Sequence, residues 1–178
     1  MNACRFAAPL AAAISLAGCA VANIQSARSP DYNKTPQRLF IVADFGETFQ
    51  NKIVPHLLID DDRGTIQQKF TSTLKSCGVE TNMEIVESLA FHLTLDKKIK
   101  EFSPDSILYI QWKSGLKHGG SVINPNYHVD LKDLPSNVIV WDENIQLESA
   151  FDNTGAFVQS IINRMAEDRV LPASCAIK

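Results

Sequence analysis

The chain has 178 residues, with 17 Lys and Arg against 20 Asp and Glu for a formal net charge of −3, and is 45% hydrophobic and 21% charged. That length favours one compact domain, and the composition is that of a folded body. The mild acidic excess argues against nucleic acid as a partner, which requires a clustered basic face.

Taken from the start, Arg5 precedes an apolar segment from Phe6 to Leu16 that ends in small residues. The segment is too short to span a bilayer, so residues 1–18 read as a secretory signal that is removed. Arg5 is the one charged residue in that stretch, which leaves 16 basic against 20 acidic residues afterwards. The last residues of the segment, Leu16-Ala17-Gly18-Cys19, resemble the bacterial lipobox. The resemblance implies that Cys19 is acylated and becomes the first residue of a mature lipoprotein. Cys4 lacks these neighbours. A single acyl chain holds a protein only marginally, at about 0.8 kcal/mol per buried methylene. The three chains of the lipobox family hold it firmly. Ala20 stands where an Asp would signal retention in the inner membrane, so the resemblance implies an outer-membrane anchor with the domain facing the periplasm.

Residues 19–37 are polar, contain Pro30 and Pro36 and show no period, which reads as a flexible tether reaching at most roughly 60 Å. Residues 38–178 then read as a single α/β domain. The run from Arg38 to Asp44 predicts a buried strand closed by Phe45-Gly46. Ile66, Phe70, Leu74 and Cys77 recur at helical spacing, with Lys69 and Lys75 off the stripe and Gly78 placed to cap the C-terminus. Met83 to Ser88 alternates as a strand, and Leu95 to Phe102 predicts a short basic helix closed by Ser103-Pro104. Ser106 to Trp112 is a strong strand signal, followed by the turn-rich "GLKHGGSVINPN". Tyr127 to Leu134 and Val138 to Leu147 predict a hairpin around Pro135-Ser136-Asn137. After the capping residues Asp152-Asn153-Thr154, a stripe of Phe157, Ile161, Ile162 and Met165 predicts a last helix before Pro172.

Burying both long helical stripes predicts a two-layer α/β sandwich, a mixed sheet of about five strands with helices on one face. This order, with Val140-Trp141-Asp142 in the hairpin, is similar to small cell-envelope modules. These include the N-terminal module of the Tol-system propeller protein and the lipoprotein activators of peptidoglycan synthases. The resemblance implies a module that binds other envelope proteins. With Cys19 acylated, Cys77 and Cys175 remain as a pair in an oxidising compartment and are expected to form a disulfide; the alternative is a buried Cys77 thiol on the apolar stripe.

Ser72-Thr73-Leu74-Lys75 matches the S-x-x-K of penicillin-binding enzymes and Lys113-Ser114-Gly115 resembles their K-T-G, yet the S-D-N element is absent and the chain is short. A solvated helix face is the better account of Ser72. Asp60-Asp61-Asp62 suggests calcium, but an EF-hand loop begun at Asp60 would place Thr65 and Thr71 where it needs Gly and Glu. His56, His92, His118 and His128 show no paired metal spacing. No metal, cofactor or catalytic residue is therefore assigned. Two stretches are candidate contact sites. One is an apolar patch of Phe49, Ile53, Val54, Leu57 and Leu58, and the other a loop at the sheet end from Lys117 to Asn126, with His118, Asn124, Tyr127 and His128. The expectation is a non-catalytic, lipid-anchored accessory module with an envelope protein partner. The alternative is a small-ligand or metal-binding lipoprotein, with a cell-wall or lipid hydrolase behind both.

Overall fold

The computed structural model describes residues 21–45, 63–86, 89–118, 121–147 and 154–176. In chain order they form β1 (Val21–Arg28), β2 (Arg38–Asp44), α1 (Arg63–Ser76), β3 (Glu80–Ile85), α2 (Leu89–Phe102), β4 (Ser106–His118), β5 (Ser121–Asp133), β6 (Val138–Leu147) and α3 (Thr154–Glu167), then a 3-10 turn at Ala173–Cys175. The strands make one six-stranded sheet in the order β1-β6-β5-β4-β2-β3. Strand β2 pairs in parallel with β3 and β4, and the remaining pairs are antiparallel. The mixed α/β class expected from the sequence is the class observed.

Strand β2 explains the parallel half. Its apolar run is continuous because both of its faces are covered: Leu39, Ile41 and Ala43 join the main core, while Phe40 and Val42 join Ile107 in a second cluster. The chain leaves β2 outward through α1 to β3 and returns across β2 through α2 to β4. Right-handed crossovers running in opposite directions place their helices on opposite faces. Accordingly Ile66, Phe70 and Leu74 of α1 and Phe157, Ile161, Ile162 and Met165 of α3 fill the main core, while Leu95, Ile99 and Phe102 of α2 pack on the second cluster. Helix α2 thus sits apart from the shared helical layer expected of all three.

Helix ends follow from local chemistry. Gly78, at φ 89°, ends α1: its N–H reaches the Lys75 carbonyl at 3.1 Å and the Val79 N–H reaches Leu74 at 3.0 Å, a Schellman cap. The end of α3 repeats this geometry with Arg169 at φ 58° in the glycine position. Cys77 and Cys175 are joined as a disulfide, Cα atoms 5.1 Å apart, which fastens the 3-10 turn to the end of α1.

Two expectations change. Residues 21–28, expected as part of the tether, pair with β6 as the edge strand β1, because hydrogen bonding to a distant strand orders a segment whose own sequence has no period. The turn-rich segment after Trp112 is largely ladder: β4 and β5 continue pairing out to His118 and Ser121, with register shifts around Ser114 absorbing the irregular residues. The Lys117–Asn126 loop is thereby reduced to the connection at residues 119–120.

Candidate functional site

On the side of the sheet opposite α1 and α3, α2 covers β2 and β4. Alternation along β5 and β6 turns His128, Asp130, Lys132, Asp142, Asn144 and Gln146 to that side, away from the buried Tyr127, Val129, Leu131, Trp141, Ile145 and Leu147. His128 is held at both ring nitrogens, Nδ1 2.9 Å from Asn144 Oδ1 and Nε2 2.9 Å from Asp130 Oδ1. The cross-strand neighbours of His128 in register are Gln111 and Asn144, so the ring is braced among acceptors and amides and has no hydroxyl in register to activate. This arrangement suits polar recognition.

Directly beneath, on the core face, the same alternation buries an acid. Glu143 is 0% exposed, and neither carboxyl oxygen makes a hydrogen bond among the described residues. Burial pushes its pKa up to about 8; Arg164 pulls it down, while Asp168 and Glu167 push it further up. Around it Trp141 Nε1 donates to Asp168 Oδ2 at 2.8 Å, and Arg164 pairs with Glu167 at 3.0 Å. Arg28 of β1 donates to the Asp168 carbonyl at 3.3 Å and to the Tyr32 carbonyl, which clamps the edge strand to the end of α3. Sequence reasoning missed this cluster. Its signal was present, since Glu143 occupies an inward position between Trp141 and Ile145.

A third feature is an open groove of about 660 Å³ between α1 and edge strand β3, lined by Thr71, Ser72, Lys75 and Thr81 among others. Ser72 Oγ donates to the Lys69 carbonyl at 3.3 Å, so the S-x-x-K hydroxyl is engaged with its own helix. The edge of β3 is partly closed, because Gln67 Nε2 donates to the Met83 carbonyl at 2.9 Å and Thr81 Oγ1 to Val79 at 3.2 Å.

The structure separates the four residues of the sheet-end site. Tyr127 is fully buried on the core face against Phe157 and Phe45, where burial drives its phenol well above the ordinary range. His128 lies on the other face, and Asn124 adopts φ 50° within β5. His118 pairs with Ser121 whereas His128 pairs with Gln111, which puts the two histidines about seven residues apart along the ladder, roughly 23 Å. Strand alternation and length are the reasons. The apolar patch of Phe49, Ile53, Val54, Leu57 and Leu58 lies outside the described residues. Among the described residues no group of three His, Cys, Asp or Glu side chains is placed to hold a metal ion.

No family model and no curated protein sequence matches the chain. Among solved structures it is similar to a point variant of the PelC dodecamer from Paraburkholderia phytofirmans, at 11% identity over 87% of this chain and 99% of that one, with a TM-score of 0.47. The PelC dodecamer from the same organism, in a second crystal form, gives 12% identity over 88% and 98%, with a TM-score of 0.43. Lipoprotein GNA1162 from Neisseria meningitidis is 18% identical over 74% of this chain and 99% of that one, with a TM-score of 0.38.

Proposed function

We propose that the chain is an outer-membrane lipoprotein whose domain faces the periplasm and serves as a non-catalytic binding module of an envelope assembly. The observation that carries the reading is Leu16-Ala17-Gly18-Cys19 directly after the Phe6–Leu16 apolar run. The Cys77–Cys175 disulfide is what an oxidising compartment favours. The partner surface is the polar side of β5 and β6, where braced His128, Asp130 and Asn144 offer fixed donors and acceptors. Mass spectrometry of the mature N-terminus tests the anchor, with an acylated Cys19 expected and a free thiol or an intact leader overturning it. Crosslinking in native membranes, followed by identification through a C-terminal tag, tests the module. One protein recovered in near-equal amount is expected, and its loss from an Asp130→Lys, Asn144→Lys variant that still folds would place it on the polar face. Recovery of the chain alone would overturn the accessory role.

A further inference from the structure

Strand β1 forms one edge of the sheet and, within the sheet, pairs with β6 alone. Its described side chains add little to the core: Gln25 and Ala27 are exposed, and Ser26 and Arg28 are half-buried. The strand it lies against is the reverse, with Trp141, Glu143, Ile145 and Leu147 all buried. In register Ser26 stands opposite Glu143 and Arg28 opposite Trp141. On the flank away from β5, Glu143 is therefore covered by a serine and, one diagonal step along, an arginine, with no apolar side chain in register.

The charged side chains buried among the described residues are Asp133 and Glu143, and their surroundings differ. Asp133 Oδ2 accepts from the Ser136 N–H at 3.1 Å and from Ser136 Oγ at 2.5 Å, and lies 3.7 Å from Lys34 Nζ. Glu143 has no comparable bond at either oxygen among the described residues. The charged groups around it are Arg28 on β1 and Arg164, Glu167 and Asp168 at and just past the end of α3. On β5 its register partner is Val129, with the neutral phenol of Tyr127 one core position along. Arg164 is engaged with Glu167, and Arg28 with the Asp168 and Tyr32 carbonyls, so neither guanidinium is committed to the buried carboxyl. A carboxyl so placed is held as the neutral acid, and burial is the main cause of its pKa of about 8. Ionising it in place leaves a buried charge without a bonded partner, whereas lifting the edge strand returns it to water.

We propose that Glu143 is a proton-operated latch for the edge strand: while the carboxyl is protonated β1 lies closed on β6, and loss of the proton shifts β1 towards an open state while the rest of the sheet stays folded. The sign follows from linkage. In the open state the exposed carboxyl returns to its ordinary 4.5, against about 8 when closed, so opening releases a proton. Opening is rarest in acid, grows about tenfold per pH unit from 4.5 towards 8, and levels off above that. Release of the 8 residues of β1 lengthens the connection to the chain before Val21 by roughly 27 Å, so acid keeps that connection short.

Native-state hydrogen exchange of the full-length chain, read amide by amide by NMR from pH 5 to 9, tests the latch. Each rate is divided by the intrinsic exchange rate at the same pH, and a series at low urea separates local opening, which is insensitive to urea, from global unfolding. Urea-insensitive exchange of the β1–β6 ladder amides is expected to rise about a thousand-fold between pH 5 and 8 and then to level off, while the amides of β2 exchange only through urea-sensitive unfolding. In Glu143→Gln the urea-insensitive exchange of the same ladder should not change with pH. Urea-insensitive opening of β1 that stays constant from pH 5 to 8 in the parent overturns the latch, even where global stability follows the acid, and this result does not depend on any variant folding. A slope in Glu143→Gln as steep as that of the parent overturns it as well, by assigning the titration to another group.

Discussion

The two faces of the sheet are built on opposite principles. One is closed by α1, α3 and the disulfide over a single apolar core that includes Trp141, Tyr127 and Phe157. The other, among the described residues, is covered by α2 over β2 and β4, and over β5 and β6 it carries His128, Asp130 and Asn144. Closure on one side supplies the stability that lets the other side remain polar, so substitutions should separate into those that unfold the domain and those that change only its surface.

The largest expected effect comes from opening the closed face. Cys77→Ser with Cys175→Ser removes a link spanning 98 residues, worth about 4 to 5 kcal/mol in the chain-entropy model, and should lower the urea midpoint accordingly. An effect that reaches a comparable size only at alkaline pH belongs to Glu143. Its folded pKa of about 8 lies above the ordinary 4.5, so between these values the folded state holds a proton that the unfolded state has released. Its contribution is therefore complete below pH 4.5 and is lost as pH rises through 8. Glu143→Gln should match the parent near the acid end and exceed it progressively in the alkaline direction, by up to about 1.4 kcal/mol per pH unit across the window. Parallel stability–pH curves for the two proteins would show that burial of this acid is relieved in solution. Trp141→Phe removes the bond to Asp168 and should destabilise by about 1.5 to 3 kcal/mol in thermal or chemical melts. On the open face, His128→Ala should change stability by about 0.5 kcal/mol or less while reducing partner recovery in the crosslinking assay. A large loss of stability there would erase the distinction between the faces.

Much of the closed face was legible because its signals are local. The α1 stripe of Ile66, Phe70 and Leu74, the glycine cap at Gly78 and the α3 stripe each lie within one element. What was missed depends on partners far away in sequence. Val21–Arg28 becomes a strand through pairing with Trp141–Leu147, and nothing in its own composition announces this. Gly115 and Pro125 read as turn residues, yet register shifts accommodate the irregular segment inside a long hairpin. The face taken by α2 is set by crossover handedness, which no residue in the helix encodes. Glu143 was readable from alternation alone, but an acid at an inward position is easily discounted beside its apolar neighbours. The sheet-end grouping failed because it took residues 117 to 126 as a loop gathering His118 and Asn124 beside Tyr127 and His128, when the ladder spreads these positions along a strand and across both of its faces.

Strand β1 also sets how the domain answers mechanical load. A pull applied at Val21 along the axis of β1 meets a ladder to β6 that runs from Val21 to Arg28, with hydrogen bonds lying across the direction of force. Such a ladder resists in shear, its bonds loaded together, whereas a strand attached by its side would peel one bond at a time. Arg28, bonded to the Asp168 and Tyr32 carbonyls at the far end, takes the remaining tension into the end of α3. Load applied along β1 is therefore shared across the whole ladder before it reaches the core behind the sheet.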